Sequence, residues 1–192
     1  MMTKAKQTVG VYIDGANIFH GSKEAGWKLG YLNLKSFIEN KYDITVMSYY
    51  SCYGYEKDSK GKYKKDNKKQ YIPDPNTMSF FNMLRGNGIR VETKPLKFIN
   101  GDINKPANKM DGDLMLAAFE EHPQWEKLIL LAGDCDYERL VKNMIKLTKP
   151  VLILSFDNRI SHELKVLAFD SPYVNFTPID NLKSRLEYTP SS

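Results

Sequence analysis

The segment Leu128-Ile-Leu-Leu-Ala-Gly-Asp-Cys-Asp-Tyr-Glu-Arg-Leu-Val141 constrains this chain more than any other. The apolar run Leu128 to Ala132 stops at a glycine, and Tyr137, Leu140, Val141 and Met144 then recur at helical spacing. That pattern predicts a buried strand, a sharp turn and a helix. Asp134 and Asp136 fall in the turn. Carboxylates at the end of an apolar strand are costly unless their charge is compensated, and a divalent cation is a common solution.

The N-terminal part repeats the arrangement. Val9 to Ile13 is an apolar, β-rich run ending at Asp14, and Gly15-Ala-Asn17-Ile-Phe-His20 follows as a turn and helix start. Asn17 reads equally well as a cap or turn residue and as a site residue beside Asp14, in the crevice where open α/β sheets bind ligands. Gly21 to Gly30 reads as a loop or irregular helix around Trp27. A short helix over Leu32–Asn40 and a strand over Ile44–Cys52 complete a strand–helix–strand unit, which points to a parallel sheet.

Further along, Asn76 can cap a helix through Met78, Phe81, Met83 and Leu84 that Gly86-Asn87-Gly88 stops. Ile89–Ile99 is a strand region whose part beyond Pro95 is an edge or has left the sheet, and Asn100–Asn108 is a loop. Lys109-Met-Asp111-Gly-Asp113 opens the next helix. Acids are favoured there by capping and by the helix dipole, but capping needs only one of the two. Pro150–Ser155 predicts a buried strand, Ser161–Ala168 a helix and Tyr173–Phe176 a last strand. No internal repeat or composition shift stands out. The expected organisation is a disordered N-terminus over 1–8, one domain over 9–180 and a tail over 181–192.

Glu56 to Gln70 breaks the α/β pattern, with almost no apolar content and lysines at 57, 60, 62, 64, 65, 68 and 69. One reading is a solvated loop or small protruding hairpin. The other is a mobile basic arm, in which Lys62, Lys64 and Lys65 neutralise phosphates and Tyr53, Tyr55, Tyr63 and Tyr71 offer stacking surfaces for unpaired bases. The net charge of +5 and pI near 9.0 lean the same way, toward a polyanionic partner. Cys52 and Cys135 make neither a disulfide framework nor a zinc pattern, which fits a reducing compartment. Met1 to Thr8 lacks a secretory h-region, and no apolar run approaches the roughly 20 residues that span a bilayer. The expectation is a soluble, cytoplasmic protein with no membrane partner.

In a parallel sheet the turns after the strands share one edge, so Asp14, Asp134 and Asp136 can converge there with Asp111 and Asp113. Such a cluster raises its own pKa values unless a cation is present. An all-oxygen donor set suits Mg²⁺ or Mn²⁺ rather than zinc, and the chemistry implied is phosphodiester hydrolysis by an activated water. Cys135 reads as a small spacer, because acids on both sides raise a thiol pKa. His20, His122 and His162 share no spacing and stay outside the site.

Three motifs, Val9-Gly-Val-Tyr-Ile-Asp14-Gly-Ala-Asn17-Ile-Phe19, Lys109-Met-Asp111 and Leu128 through Asp136-Tyr137, with the later Ser161-His-Glu-Leu164, resemble the NYN domain family, the LabA-like branch of the PIN-like nucleases. The resemblance runs from about Val9 to Phe176. It implies a three-layer αβα domain around a mainly parallel sheet and a Mg²⁺- or Mn²⁺-dependent endoribonuclease site acting on single-stranded or structured RNA. Carried over, Asp14, Asp111, Asp134 and Asp136 are the catalytic and metal-binding acids, and Asn17 is the polar residue after the first strand. Outside the family pattern, Asp113 is expected as a substitute metal ligand from the first turn of its helix, and Asn17 and Lys109 as substrate contacts. A homodimer is compatible with such a domain. One position departs from the family pattern: many relatives carry an Asp where this chain has Ala117. That departure motivates the alternative of a weakly active or inactive RNA-binding, regulatory protein.

Overall fold

The computed structural model describes residues 5–97 and 109–189. Six strands form one sheet in the order β3-β2-β1-β4-β5-β6. They are β1 (Thr8–Asp14), β2 (Asp43–Tyr53), β3 (Arg90–Pro95), β4 (Lys127–Leu131), β5 (Val151–Ser155) and β6 (Val174–Pro178), every neighbouring pair parallel. Both faces of a parallel sheet are covered by crossover helices, so its strands are apolar on both sides. In β1, Val9, Val11 and Ile13 enter one core and Tyr12 the other; in β4, Ile129 and Leu131 oppose Leu128 and Leu130.

The first core is closed by α1 (Gly15–Ala25), α2 (Tyr31–Glu39), α3 (Pro75–Gly86) and α7 (Lys183–Leu186), through Ile18, Leu34, Ile38, Phe81, Leu84 and Leu186. The second is closed by α4 (Asp111–Glu120), α5 (Glu138–Lys146) and α6 (His162–Asp170), through Leu114, Ala118, Leu140, Val141, Met144 and Leu164. The result is the three-layer αβα architecture. Strand order reverses at β1, which pairs with β2 on one side and β4 on the other. This is the switch point at which open α/β sheets leave a crevice at the carboxyl edge. Asp14 ends β1 and Asp134 follows β4, so both stand at that crevice.

Several expectations are corrected. The segment Gly21 to Gly30 is regular helix in its first half, where α1 runs on to Ala25, and a turn around Trp27 in its second, entered through Gly26, whose φ of 74° is the left-handed cap that glycine adopts without steric cost. Of the expected disordered N-terminus over 1–8, residues 1–4 lie outside the described residues; in the rest the Lys6 ammonium donates to the Glu39 carbonyl at 2.6 Å, the Gln7 carbonyl accepts from the Asp43 N–H at 3.0 Å, and Thr8 begins β1. Residues 181–189 are not a free tail either. Leu186 is fully buried, its carbonyl accepts from the Gly30 N–H at 2.7 Å, and Glu187 bridges to Leu29. The expected loop Asn100–Asn108 lies outside the described residues.

The basic insert is folded rather than an open arm, and the sequence does hold a repeat. Tyr55-Glu-Lys-Asp58, Tyr63-Lys-Lys-Asp66 and Tyr71-Ile-Pro-Asp74 recur every eight residues. Asp58 accepts from the N–H groups of Lys60 and Lys62 at 2.8 and 2.9 Å, and Asp66 accepts from those of Lys68 and Gln70 at the same two distances. Each carboxylate thereby closes a tight turn. In the third copy Asp74 accepts from the Thr77 N–H at 2.8 Å and caps α3 instead.

Candidate active site

Asp14 is 8% exposed, an unusual burial for a carboxylate. It sits at the N-cap of α1, and its Oδ1 accepts from the Asn17 N–H at 3.0 Å. Its Oδ2 accepts from the Tyr137 hydroxyl at 2.9 Å, and Tyr137 is fully buried. Burial raises the Asp14 pKa; the Asn17 and Tyr137 hydrogen bonds oppose that rise, and the Asp111 charge adds to it. The Tyr137 hydroxyl is driven far above its ordinary value, first by burial and then by Asp14, so it stays a proton donor to the carboxylate.

Two glycines make this approach of elements feasible. A Cβ on Gly15 would lie 2.4 Å from the Tyr49 ring, and one on Gly133 would lie 2.2 Å from the Arg159 carbonyl oxygen. Gly133 also donates its N–H to the Asn17 side-chain oxygen at 3.1 Å and accepts from the Ser161 N–H at 2.7 Å. Asn17 thus ties the turn after β1 to the turn after β4. Its observed role is to hold the two acid-bearing turns together.

Asp134 caps the 3₁₀ turn Cys135–Tyr137, accepting from the Asp136 N–H at 3.3 Å. The ligating atoms of Asp134, Cys135 and Asp136 all lie within 4.8 Å of one another. Asp111 opens α4, where the N-cap position is Met110 and no side chain caps the helix, so capping does not account for the acid. Burial raises the Asp111 pKa; Lys109 opposes, and the charges of Asp136 and Asp134 add to it. Lys109 bridges the acids: its Nζ is 3.2 Å from Asp136 Oδ2 and 3.6 Å from Asp111 Oδ2, and its own pKa is raised, chiefly by Asp136.

Asp14, Asp111, Asp134 and Asp136 thus stand at one edge and act on one another through their charges, while the group whose ligating atoms lie within 4.8 Å of one another is Asp134, Cys135 and Asp136, without Asp14 or Asp111. Asp113 points elsewhere, to an ion pair with Lys94 of β3 at 2.5 Å. Ala117, one turn further along α4, lines with Asp113, Lys94 and Arg90 a cleft of about 280 Å³ between α4 and β3. A carboxylate at 117 would share the face of Asp113. Of the lysines expected to meet substrate, Lys64 is paired with Glu56, Lys65 lies 4.5 Å above the Tyr71 ring, and Lys62 is exposed at a turn. The Cys135 thiol is pushed up, first by its hydrogen bond to Asp134, which argues against a thiolate nucleophile.

Sequence reasoning missed the support that Tyr137 gives Asp14, because a tyrosine at core spacing reads as packing alone. Lys109 was legible only as a substrate contact.

Carboxylate oxygens are donors of the kind that hard divalent cations take, and the Lys109 ammonium lies between Asp111 and Asp136. The chain is 24% identical over 161 residues to the low amplitude and bright protein LabA of Synechococcus elongatus, spanning 81% of this chain and 77% of that protein. The crystal structure of a protein of unknown function, VPA0982 from Vibrio parahaemolyticus, superposes with a TM-score of 0.69 over 98% of this chain and 100% of that one, at 20% identity, and so shares the fold. The NYN domain profile matches residues 8–171, which span β1 through α6 and all four converging acids, and the chain belongs to the NYN domain family, with its nuclease-type fold.

Proposed function

We propose that this protein is a metal-dependent endoribonuclease that hydrolyses RNA phosphodiester bonds at the carboxyl edge of its sheet. The observation that supports this reading is the meeting of Asp14, Asp111, Asp134 and Asp136 from three separate chain segments, with Lys109 between them. Those four acids would hold Mg²⁺ or Mn²⁺. When bound, such an ion acidifies a water and neutralises charge building on the phosphorus oxygens.

The chain's own residues prepare that event. Tyr137 and the Asn17 N–H fix both oxygens of Asp14 in a pocket that excludes most water, where charge interactions are stronger than in bulk solvent. Asn17 keeps the two turns in register through Gly133. Lys109 has a side chain 69% exposed, so it is free to turn from the carboxylates to a phosphate oxygen of the strand. Asp113 is assigned no part, since Lys94 already neutralises it.

The test is cleavage of a labelled single-stranded RNA across a Mn²⁺ and Mg²⁺ titration, with Asp134→Asn beside the wild type. Metal-requiring cleavage that is lost in the variant supports the reading. Strand binding without cleavage at any metal concentration supports instead a regulatory RNA-binding domain, the alternative that Ala117 motivates.

A further inference from the structure

The insert after β2 is a closed unit built three times over. The Glu56 N–H donates to the Ile72 carbonyl, the Ile72 N–H to the Lys64 carbonyl, and the Lys64 N–H to the Glu56 carbonyl, at 2.8, 3.1 and 2.9 Å. Residues eight apart in sequence thus close a triangle of backbone bonds. Above it Tyr55, Tyr63 and Tyr71 form a triangle of rings, with centroids 6.5, 5.3 and 6.2 Å apart. Lys57 covers the Tyr63 ring at 4.8 Å and Lys65 covers the Tyr71 ring at 4.5 Å. A segment with almost no aliphatic residues therefore gains a small aromatic core, and its two turns project from it as equivalents. Gly61 (φ 78°) and Lys69 (φ 61°) occupy the same left-handed position in each.

The turn tips are Ser59-Lys60-Gly61-Lys62 and Asn67-Lys68-Lys69-Gln70, all exposed. Lysines 57, 60, 62, 64, 65, 68 and 69 stand against Glu56, Asp58 and Asp66, so this small unit carries most of the chain's net +5. It is also attached beside the acid cluster. Cys52, one residue before the end of β2, packs against the core cluster that holds Tyr137, Met110 and Leu114, under the acid-bearing turns. Tyr53 pairs with Pro95 at the carboxyl end of the sheet, and the insert leaves from there.

We propose that this tandem turn is a prefolded clamp for the phosphate backbone of a single-stranded nucleic acid, holding a strand that continues from the carboxylate crevice. The inference rests on the nuclease reading only in taking that strand to be the substrate. It differs from a base-stacking arm. The tyrosine rings pack on one another and under lysines, so they are the core of the clamp, and the contact is with phosphates through Lys60, Lys62, Lys68 and Lys69. The clamp therefore reads no sequence. Because the turns are equivalent, they contribute equally, and a strand long enough to reach both gains from both. An anionic membrane is disfavoured as partner, since neither tip carries an apolar side chain to enter the lipid boundary.

The experiment measures binding of fluorescent oligouridylate and oligoadenylate in EDTA, where cleavage cannot intervene and failure of the metal site does not alter the result. The variants are Lys60→Ala/Lys62→Ala, Lys68→Ala/Lys69→Gly and all four together, the glycine chosen because position 69 has a positive φ. Near-ultraviolet circular dichroism confirms that the tyrosine core persists. Each pair should weaken binding by roughly tenfold at low salt and reduce the slope of log K against log salt by about 1.4, that is about 0.7 per phosphate contact. The four-fold variant should lose about twice that slope, and the two homopolymers should bind alike. Unchanged affinity and slope, a loss confined to one homopolymer, or tighter binding to phosphatidylserine vesicles than to either strand would overturn the proposal.

Discussion

Asp14 carries its charge inside the fold, and that has a measurable consequence. Its pKa is raised from the ordinary 3.8, chiefly by burial. As pH climbs through the window between the ordinary and the raised value, the unfolded chain releases this proton first. The folded state then binds more protons than the unfolded one, and stability falls with rising pH. Asp111 shifts in the same direction and adds to the effect. Asparagine keeps the cap by accepting from the Asn17 N–H through its one oxygen, and its Nδ2 then donates to the Tyr137 hydroxyl oxygen in place of the bond that Asp14 accepts. Asp14→Asn should therefore melt several degrees above the wild type at neutral pH without metal, the gap closing in acid, while cleavage is lost. Differential scanning calorimetry across pH checks this; a variant that melts below the wild type at neutral pH would refute it. Such a trade of stability for function is common at sites that gather like charges. At this scale the sequence was only partly legible. Asp14 and Asp134 announced themselves by ending apolar runs and Asp111 by opening a helix, whereas Tyr137 did not, because its hydroxyl partner lies at Asp14, far away along the chain. Asp113 was misplaced because spacing along a helix does not reveal that Lys94 stands across from it.

Among the elements, α7 shows how a polar, irregular stretch can still belong to the core. Leu186 is its single deeply buried side chain, packed with the cluster that α1 and α2 close, and the backbone on either side is bonded to Lys28 and Gly30. Leu186→Ala should cost about 2–5 kcal/mol, the range for truncating a buried leucine. Urea denaturation gives the value, and a change below measurement error would mean that the segment is a tail after all. No periodicity marks so short a helix, which is why the segment reads as a tail in the sequence. The basic insert was misread for a related reason. Its low apolar content argues against a core, but tyrosines spaced by eight residues assemble one from rings, and hydrophobic periodicity at helix or strand spacing does not detect that interval. By contrast β1, β4 and β5 were plain, because a strand buried on both faces must be a continuous apolar run.

For the whole molecule, topology does what no single motif can. Parallel strands deliver their following turns to one edge, and the reversal of order at β1 opens a crevice between the ends of β1 and β4. Asp14 and Asp134 enter from those two turns, Asp136 from the next residues, and Asp111 from the start of α4. The basic double turn stands at the same edge on the β2 side. An acidic centre flanked by a basic wall is an arrangement that lets a polyanion approach carboxylates which alone would repel it. The proposed divalent-cation centre consists of four acids, Asp14, Asp111, Asp134 and Asp136, without Asp113. The most direct measurement is a Mn²⁺ binding isotherm for the wild type and for single asparagine variants at positions 14, 111, 134, 136 and 113. The account predicts that the first four each weaken binding by at least tenfold and that Asp113→Asn binds as the wild type does. Loss at position 113 equal to the others, or undiminished binding in any of the four, would contradict it.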